Sequence, residues 1–175
     1  MTAGKVVLLD GSNAGDSTLL PLRSLIVATL QAQGDQVDVF TLCEMRVAHC
    51  IGCFGCWLET PGICILPDAG RRLSEAVINS DLTVLLTPVC FGGYSSELKK
   101  AIDRWLPLVL PYFFQLHGEL HHLPRYRHYP RLVGVGVQRE ANAEAAGIFR
   151  AIVGRNAINF HAESYAADEI GRAHV

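Results

Sequence analysis

The chain has 175 residues, half of them hydrophobic and 18% charged, which fits one folded domain with a real core and excludes disorder as the dominant state. Its 15 basic and 17 acidic residues leave a formal net charge of -2, with no electrostatic footprint for a nucleic-acid backbone. No uninterrupted apolar stretch reaches 18 residues, so no membrane span is expected. Met1 to Lys5 lacks the long apolar core of a signal peptide, so a cytoplasmic protein is the expectation. In a reducing compartment, six cysteines point to metal or redox chemistry more than to disulfides.

Val6 to Asp10 reads as a buried strand that ends at a glycine. Gly11 to Asp16 is a small-residue loop, and Asp16 or Ser17 can cap a helix running to about Gln33. Gln36 to Thr41 alternates and reads as a second strand nearer the sheet edge. Residues 43–67 have no clean period, carry five of the six cysteines, and read as a long functional loop. A helix is expected over Asp68–Asn79, a third strand over Leu82–Thr87, and a helix over Ser95–Trp105. Residues 107–130 form an excursion rich in proline, histidine and aromatics. A fourth strand over Leu132–Val137, a helix over Ala141–Arg155 and a fifth strand over Ala157–Tyr165 complete the pattern. Strands alternating with helices imply a parallel sheet covered on both faces, in a single domain over 1–175. Ligands in such sheets bind beyond the carboxyl ends of the strands.

Three segments carry chemistry. The first is Gly11-Ser12-Asn13-Ala14-Gly15-Asp16-Ser17-Thr18. It matches neither a Walker A loop nor a dinucleotide fingerprint. It remains a hydroxyl-rich turn whose N–H and O–H groups could hold a phosphate, or simply a capped strand-to-helix turn. The second, Thr87 to Ser96, offers Gly92 and Gly93 for close backbone approach and Phe91 and Tyr94 as planar faces. The third is Cys50-x2-Cys53-x2-Cys56 followed, after seven intervening residues, by Cys64. That opening spacing is shared with cubane-binding ferredoxin runs, whereas structural zinc usually takes two separated pairs. The alternative is small buried hydrophobes beneath a loop. Cys43 and Cys90 fall outside the run and are expected to pack in the core. His117 and His121 have the i, i+4 spacing of a helical metal pair, but Gly118 and nearby prolines argue for an interface loop instead.

Taken together, these segments make the chain resemble the flavodoxin-like NAD(P)H-dependent FMN reductases, and within them the iron-sulfur flavoproteins. The resemblance rests on Gly11-Ser12, Ser17-Thr18, the run Cys50 to Trp57, Thr60 to Cys64, Asp68, Thr87-Pro88-Val89, Ser95, Leu98-Lys99 and Ile102-Asp103-Arg104. It implies a three-layer α/β/α sandwich around a five-stranded parallel sheet of order 2-1-3-4-5, with FMN at the strand ends. Gly11, Ser12, Asn13, Ser17 and Thr18 would then surround the FMN phosphate. Pro88, Val89, Cys90, Phe91, Gly92 and Gly93 would lie along the isoalloxazine. Cys50, Cys53, Cys56 and Cys64 would ligate a [4Fe-4S] cluster. Where the family loop often continues Pro-Arg, this one has Asn13-Ala14, which removes a cationic phosphate partner.

The implied function is an FMN-dependent oxidoreductase passing electrons from NAD(P)H to a quinone, flavin, iron or cluster acceptor. The alternatives are an iron-sulfur flavoprotein acting only as an electron carrier and a non-catalytic interaction module using the excursion. Tyr112, Phe113, Phe114, Tyr126 and Tyr129 are more aromatic surface than a crossover needs, so a homodimer or higher even oligomer is expected.

Overall fold

In the computed structural model, residues 3–116 and 118–171 are described. Five strands build the main sheet: β1 (Lys5–Asp10), β2 (Gln36–Thr41), β3 (Leu82–Pro88), β6 (Arg131–Gln138) and β7 (Tyr165–Gly171). Their order is β2-β1-β3-β6-β7 and every pairing is parallel. Setting aside a separate antiparallel hairpin of β4 (Val109–Leu116) and β5 (Glu119–Pro124), this is the order 2-1-3-4-5. The helices are α1 (Leu20–Ala32), the short α2 (Gly55–Leu58), α3 (Ala69–Ile78), α4 (Ser96–Asp103) and α5 (Ala143–Asn159).

Alternation along β1 divides the core. Val7 and Leu9 face a cluster with Leu73 and Val77 of α3, Leu98 and Ala101 of α4, and Phe149 and Val153 of α5. Val6 and Leu8 face Leu19 with Leu22, Ile26 and Leu30, at the start of and along α1. The period of two in the strand thus feeds both helical layers. On β6 the residues facing α5 are glycines. A Cβ at Gly134 would lie 2.6 Å from Val153 Cγ2, and one at Gly136 would lie 3.0 Å from Phe149 Cε1. Helix α5 therefore seats directly on the strand backbone.

Four elements differ from expectation. Helix α1 begins at Leu20, three residues after Ser17, with Pro21 in its first turn. Proline needs no N–H partner there, and Asp16 instead accepts from the Thr18 N–H at 2.9 Å. Helix α5 continues to Asn159 because Ala157 and Phe160 extend its buried stripe from Phe149 and Val153. His161, at φ 55°, then turns the chain, so the fifth strand is Tyr165–Gly171 and not Ala157–Tyr165. The excursion is a β-hairpin in which Phe113 pairs with His122 and Phe114 with His121. A register irregularity between Val109 and Phe113 accommodates Pro111. The 43–67 loop contains a 3-10 turn at Leu42–Glu44 and α2. Among the described residues, no helix is long and apolar enough to cross a membrane.

Candidate active site

The loops after β1, β3 and β6 meet at the carboxyl end of the sheet. They enclose a cleft of about 220 Å³ lined by Asn13, Asp16, Thr18, Leu19, Pro88, Val89, Cys90, Val137, Gln138 and Arg139. Gly11 sets how closely these loops approach. Its N–H donates to the Leu86 carbonyl at 2.8 Å, and a Cβ there would meet Ser95 Oγ at 2.8 Å. Only glycine lets the first loop rest against the start of α4.

The first loop divides its hydroxyls. Ser12 is buried and donates inward, through Oγ at 2.5 Å and N at 2.9 Å, to Asp10 Oδ1. Asp10, itself 1% exposed, is neutralised on its other oxygen by Arg23 at 2.8 Å. The Ser12 proton is thus committed to the loop's own framework. Ser17 is exposed and Thr18 half-buried, and Thr18 lines the cleft. Asn13 lines it too.

The third loop is a tight turn. Cys90 and Gly93 exchange two backbone bonds, 3.0 and 2.8 Å, around Phe91 at φ 50° and Gly92 at φ 77°. A left-handed Phe is strained by about 1–2 kcal/mol, and its ring is fully exposed at 105% of the reference. The turn is anchored at both ends. Val89 N–H donates to the Val137 carbonyl at 2.9 Å, and Ser95 N–H to Thr87 Oγ1 at 2.9 Å. Cys90 is exposed and lines the cleft, and Cys43 is only half-buried; neither packs in the core as expected. Tight turn geometry carries the Cys90 side chain outward.

Gln138 and Arg139 were not signalled by any motif. Gln138 is buried, and its amide brackets Asn142 through bonds of 2.7 and 3.1 Å. That bracket fixes the loop holding Arg139, which brings a cation to a cleft whose first loop has none. A lone arginine after a strand has no local signature; only the topology brings it there.

A second pocket lies beside α4. It is lined by Cys50, Cys53, Cys56 and Cys64, with Phe54, Leu66 and Arg104 among its other walls. Gly52 at φ 64° and Gly62 at φ 89° allow the chain to wrap it. Burial, followed by the neighbouring Cys64, Cys50 and Cys53, pushes the Cys56 thiol up to about 11. Trp57 closes the outside, stacked on Phe54 at 5.4 Å and donating to the Val109 carbonyl at 2.9 Å. Among the described residues, no three His, Cys, Asp or Glu side chains are placed to hold one metal ion. One tetrahedral metal with bonds of about 2.3 Å needs sulfurs about 3.8 Å apart. The corners of a cube hold their ligands farther apart, and four thiols line this one pocket, the number of ligands a cubane takes. The buried Nε–H of Arg104, which has no hydrogen-bond partner, leaves a donor at this pocket for a sulfur acceptor. His121 instead bonds Asn159 at 2.6 Å within the hairpin's footing, and His117 lies outside the described residues.

These features can be set beside known proteins. An iron-sulfur flavoprotein of Methanocaldococcus jannaschii is 31% identical over 118 residues, covering 66% of this chain and 58% of that one. One of Archaeoglobus fulgidus is 30% identical over 78 residues, covering 45% of this chain and 34% of that one. The chain thus matches between about a third and three-fifths of the length of these curated relatives. In fold, it is similar to an NAD(P)H:quinone oxidoreductase from Methanothermobacter marburgensis, with TM-score 0.73 and 14% identity over 97% of this chain and 84% of that one. An apo NADH:FMN oxidoreductase gives TM-score 0.65 and 12% identity, over 97% and 76% of the two chains. The flavodoxin-like fold expected from the sequence is therefore the fold observed. The profile of the NADPH-dependent FMN reductases matches residues 4–121, two-thirds of the sequence, and the chain belongs to that family of oxidoreductases.

Proposed function

We propose that the protein is an FMN-dependent oxidoreductase of the iron-sulfur flavoprotein kind, taking electrons from NAD(P)H and delivering them to a quinone, flavin, iron or cluster acceptor. The observation that carries this reading is the juxtaposition of two sites. A cleft at the strand ends is walled by Pro88, Val89 and Cys90, and the same stretch of chain runs on into α4, whose last residue Asp103 and C-cap Arg104 line the pocket of four thiols.

FMN, when bound, supplies the hydride-accepting and one-electron chemistry. The chain supplies placement. Thr18 lines the cleft and, with the exposed Ser17 beside it, would offer hydroxyls to a phosphate, and Arg139 supplies a cation there. Pro88, Val89 and the Cys90–Gly93 turn form a stiff wall against which a flat ring can lie. Asn13 lines the same cleft, and Gly11 lets the first loop pack against the start of α4. Cys50, Cys53, Cys56 and Cys64 would hold a [4Fe-4S] cluster, kept from water on one side by Phe54 and Trp57.

The test is the absorbance spectrum and iron content of anaerobically purified protein, with NADH and NADPH oxidation assayed against a quinone and ferricyanide. Flavin bands with turnover support the reductase. Flavin and iron without nicotinamide oxidation leave a pure electron carrier. Neither chromophore overturns both and leaves an interaction module. After reconstitution with iron and sulfide, we expect near four irons per chain, as one cubane holds. That content should fall sharply in Cys53→Ser, whereas equal iron in both would reject the ligand set.

We also propose that the hairpin is a self-association surface. Tyr112, Phe113 and Leu120 on it are 60–73% exposed, while Tyr129 is buried in the core and Phe114 is half-buried. Light scattering at micromolar concentration should give twice or four times the chain mass, and Phe113→Glu should lower it. A monomeric wild type would reject the surface.

A further inference from the structure

The four cysteines sit on a loop whose two ends converge on one side chain. Arg104, the C-cap of α4, is 1% exposed. Its Nη1 donates to the Ala48 carbonyl at 3.0 Å and to Asp68 Oδ2 at 2.8 Å. Its Nη2 donates to the Leu66 carbonyl at 3.4 Å and to Asp68 Oδ1 at 2.8 Å. Ala48 lies two residues before Cys50, and Leu66 lies two residues after Cys64. One guanidinium therefore closes the neck of the loop.

Asp68 completes the knot. Its carboxylate also accepts from the Ala48 N–H at 2.8 Å and caps α3 through the Gly70 N–H at 2.9 Å. Burial alone would raise this carboxyl. The Arg104 guanidinium and the two N–H groups outweigh it and hold Asp68 below the usual carboxylate range. Room for the guanidinium depends on Gly70, where a Cβ would sit 2.9 Å from Arg104 Cζ. Arg71 steadies the outgoing limb by donating to the Cys64 and Ile65 carbonyls at 2.7 and 3.0 Å.

Stability does not explain this arrangement. A buried ion pair is often no better than a well-packed apolar pair, and losing one partner is costly. The arginine offers something an apolar group lacks: a planar fork that meets two carbonyls and both carboxylate oxygens at once. It also forms part of the wall of the thiol pocket, beside Cys64.

We infer that Arg104 is a positioning residue for the four cysteines: with Asp68 it closes the neck of the 49–65 loop, so that the thiols converge before any metal arrives, and it presents a fixed cation to whatever they hold. The inference rests on the four-cysteine reading above. A pre-closed loop has little ordering entropy left to lose on loading. A cation at a cluster favours its more negative, reduced form and so raises the potential.

The test compares the full chain with Arg104→Lys, Arg104→Gln and Asp68→Asn. In metal-free protein, amide exchange over 48–66 should rise at least tenfold in Arg104→Gln, with β1 and β3 unchanged. Alkylation by iodoacetamide of Cys56, which is buried, and Cys64, which is half-buried, should rise relative to the exposed Cys90. After anaerobic loading with ferrous iron and sulfide, iron should fall by more than half in Arg104→Gln and less in Arg104→Lys. In the fraction that loads, the midpoint potential should move negative in Arg104→Gln and return toward wild type in Arg104→Lys. A purely structural role would lower loading without that charge-dependent shift. Should the Arg104 variants fail to fold, Asp68→Asn opens the same knot while its amide oxygen still caps α3, and its exchange and alkylation carry the test. Unchanged exchange and alkylation overturn the inference. If wild type holds no iron, the cluster reading fails, and the exchange and alkylation results still decide whether Arg104 closes the loop.

Discussion

Replacing Phe149 by Ala should lower the unfolding free energy by about 3–5 kcal/mol, the usual range for emptying a buried aromatic site. For a chain of this size that is a drop of roughly 6–20 °C in midpoint. Phe149 is fully buried, and its ring lies against the bare backbone of Gly134 and Gly136 on β6. Those two positions have no side chains that could move into the gap. The ring also packs edge-on to Tyr94 at 5.9 Å, just after the Cys90–Gly93 turn, and Asn156 on the next turns of α5 donates to the Tyr94 hydroxyl at 3.0 Å. The loss should therefore loosen the third loop as well as the core. Urea unfolding by circular dichroism measures the first effect and FMN titration the second. A cost below about 1 kcal/mol would show that Phe149 is not the keystone of the α5–β6 contact. Ile170, exposed on β7, is the matched control; its Ala variant should stay within about 0.5 kcal/mol.

The contrast between these residues shows what a linear sequence discloses. Short apolar runs ended by Gly11 and Pro88 marked β1 and β3, because strand burial and turn chemistry are local signals. The starts of α3 and α4 were readable near Asp68 and Ser95 for the same reason, and both side chains accept from first-turn N–H groups. The hairpin at 109–124 was hidden by its own punctuation. Pro107, Pro111 and Pro124 suggested an irregular segment, yet Pro107 sits in a 3-10 turn before β4, Pro111 at a register irregularity and Pro124 at the end of β5. Tertiary packing also overrode the local reading at the end of α5, where Phe160 follows the helical stripe into the core.

The two sites divide along the same line. The cysteine run and the hydroxyl-rich turn are contiguous, so their residue types could be picked out directly. Arg104 and Asp68 are 36 residues apart, and Arg139 reaches the first loop only through the parallel order of β1, β3 and β6. No spacing rule connects such residues. Ser12 is a subtler case. Its position in the turn marked it as a phosphate ligand, yet its proton goes to Asp10, a buried carboxylate that must be satisfied before any ligand is considered.

That division of labour makes the serines and threonine of the first loop separable by experiment. Ser17→Ala combined with Thr18→Ala should weaken FMN binding by about 2–6 kcal/mol if each hydroxyl donates to the phosphate dianion, since hydrogen bonds to charged groups are worth about 1–3 kcal/mol. That is a loss of roughly thirtyfold to about twenty-thousandfold in affinity. Stability should barely move, because Ser17 is exposed and the Thr18 backbone N–H keeps its bond to Asp16. Ser12→Ala should do the reverse. It removes the Ser12 hydroxyl from a carboxylate that is 1% exposed and leaves one oxygen of Asp10 with only the Ser12 backbone N–H. That should cost about 1–3 kcal/mol of folding free energy, with FMN affinity changed far less than in the double variant. Fluorescence titration with FMN, alongside urea unfolding of each variant, separates the two outcomes. Unchanged FMN affinity in the double variant would move the phosphate away from Ser17 and Thr18. If Ser12→Ala instead lost affinity at full stability, the Ser12 hydroxyl would have to turn from Asp10 to the ligand on binding.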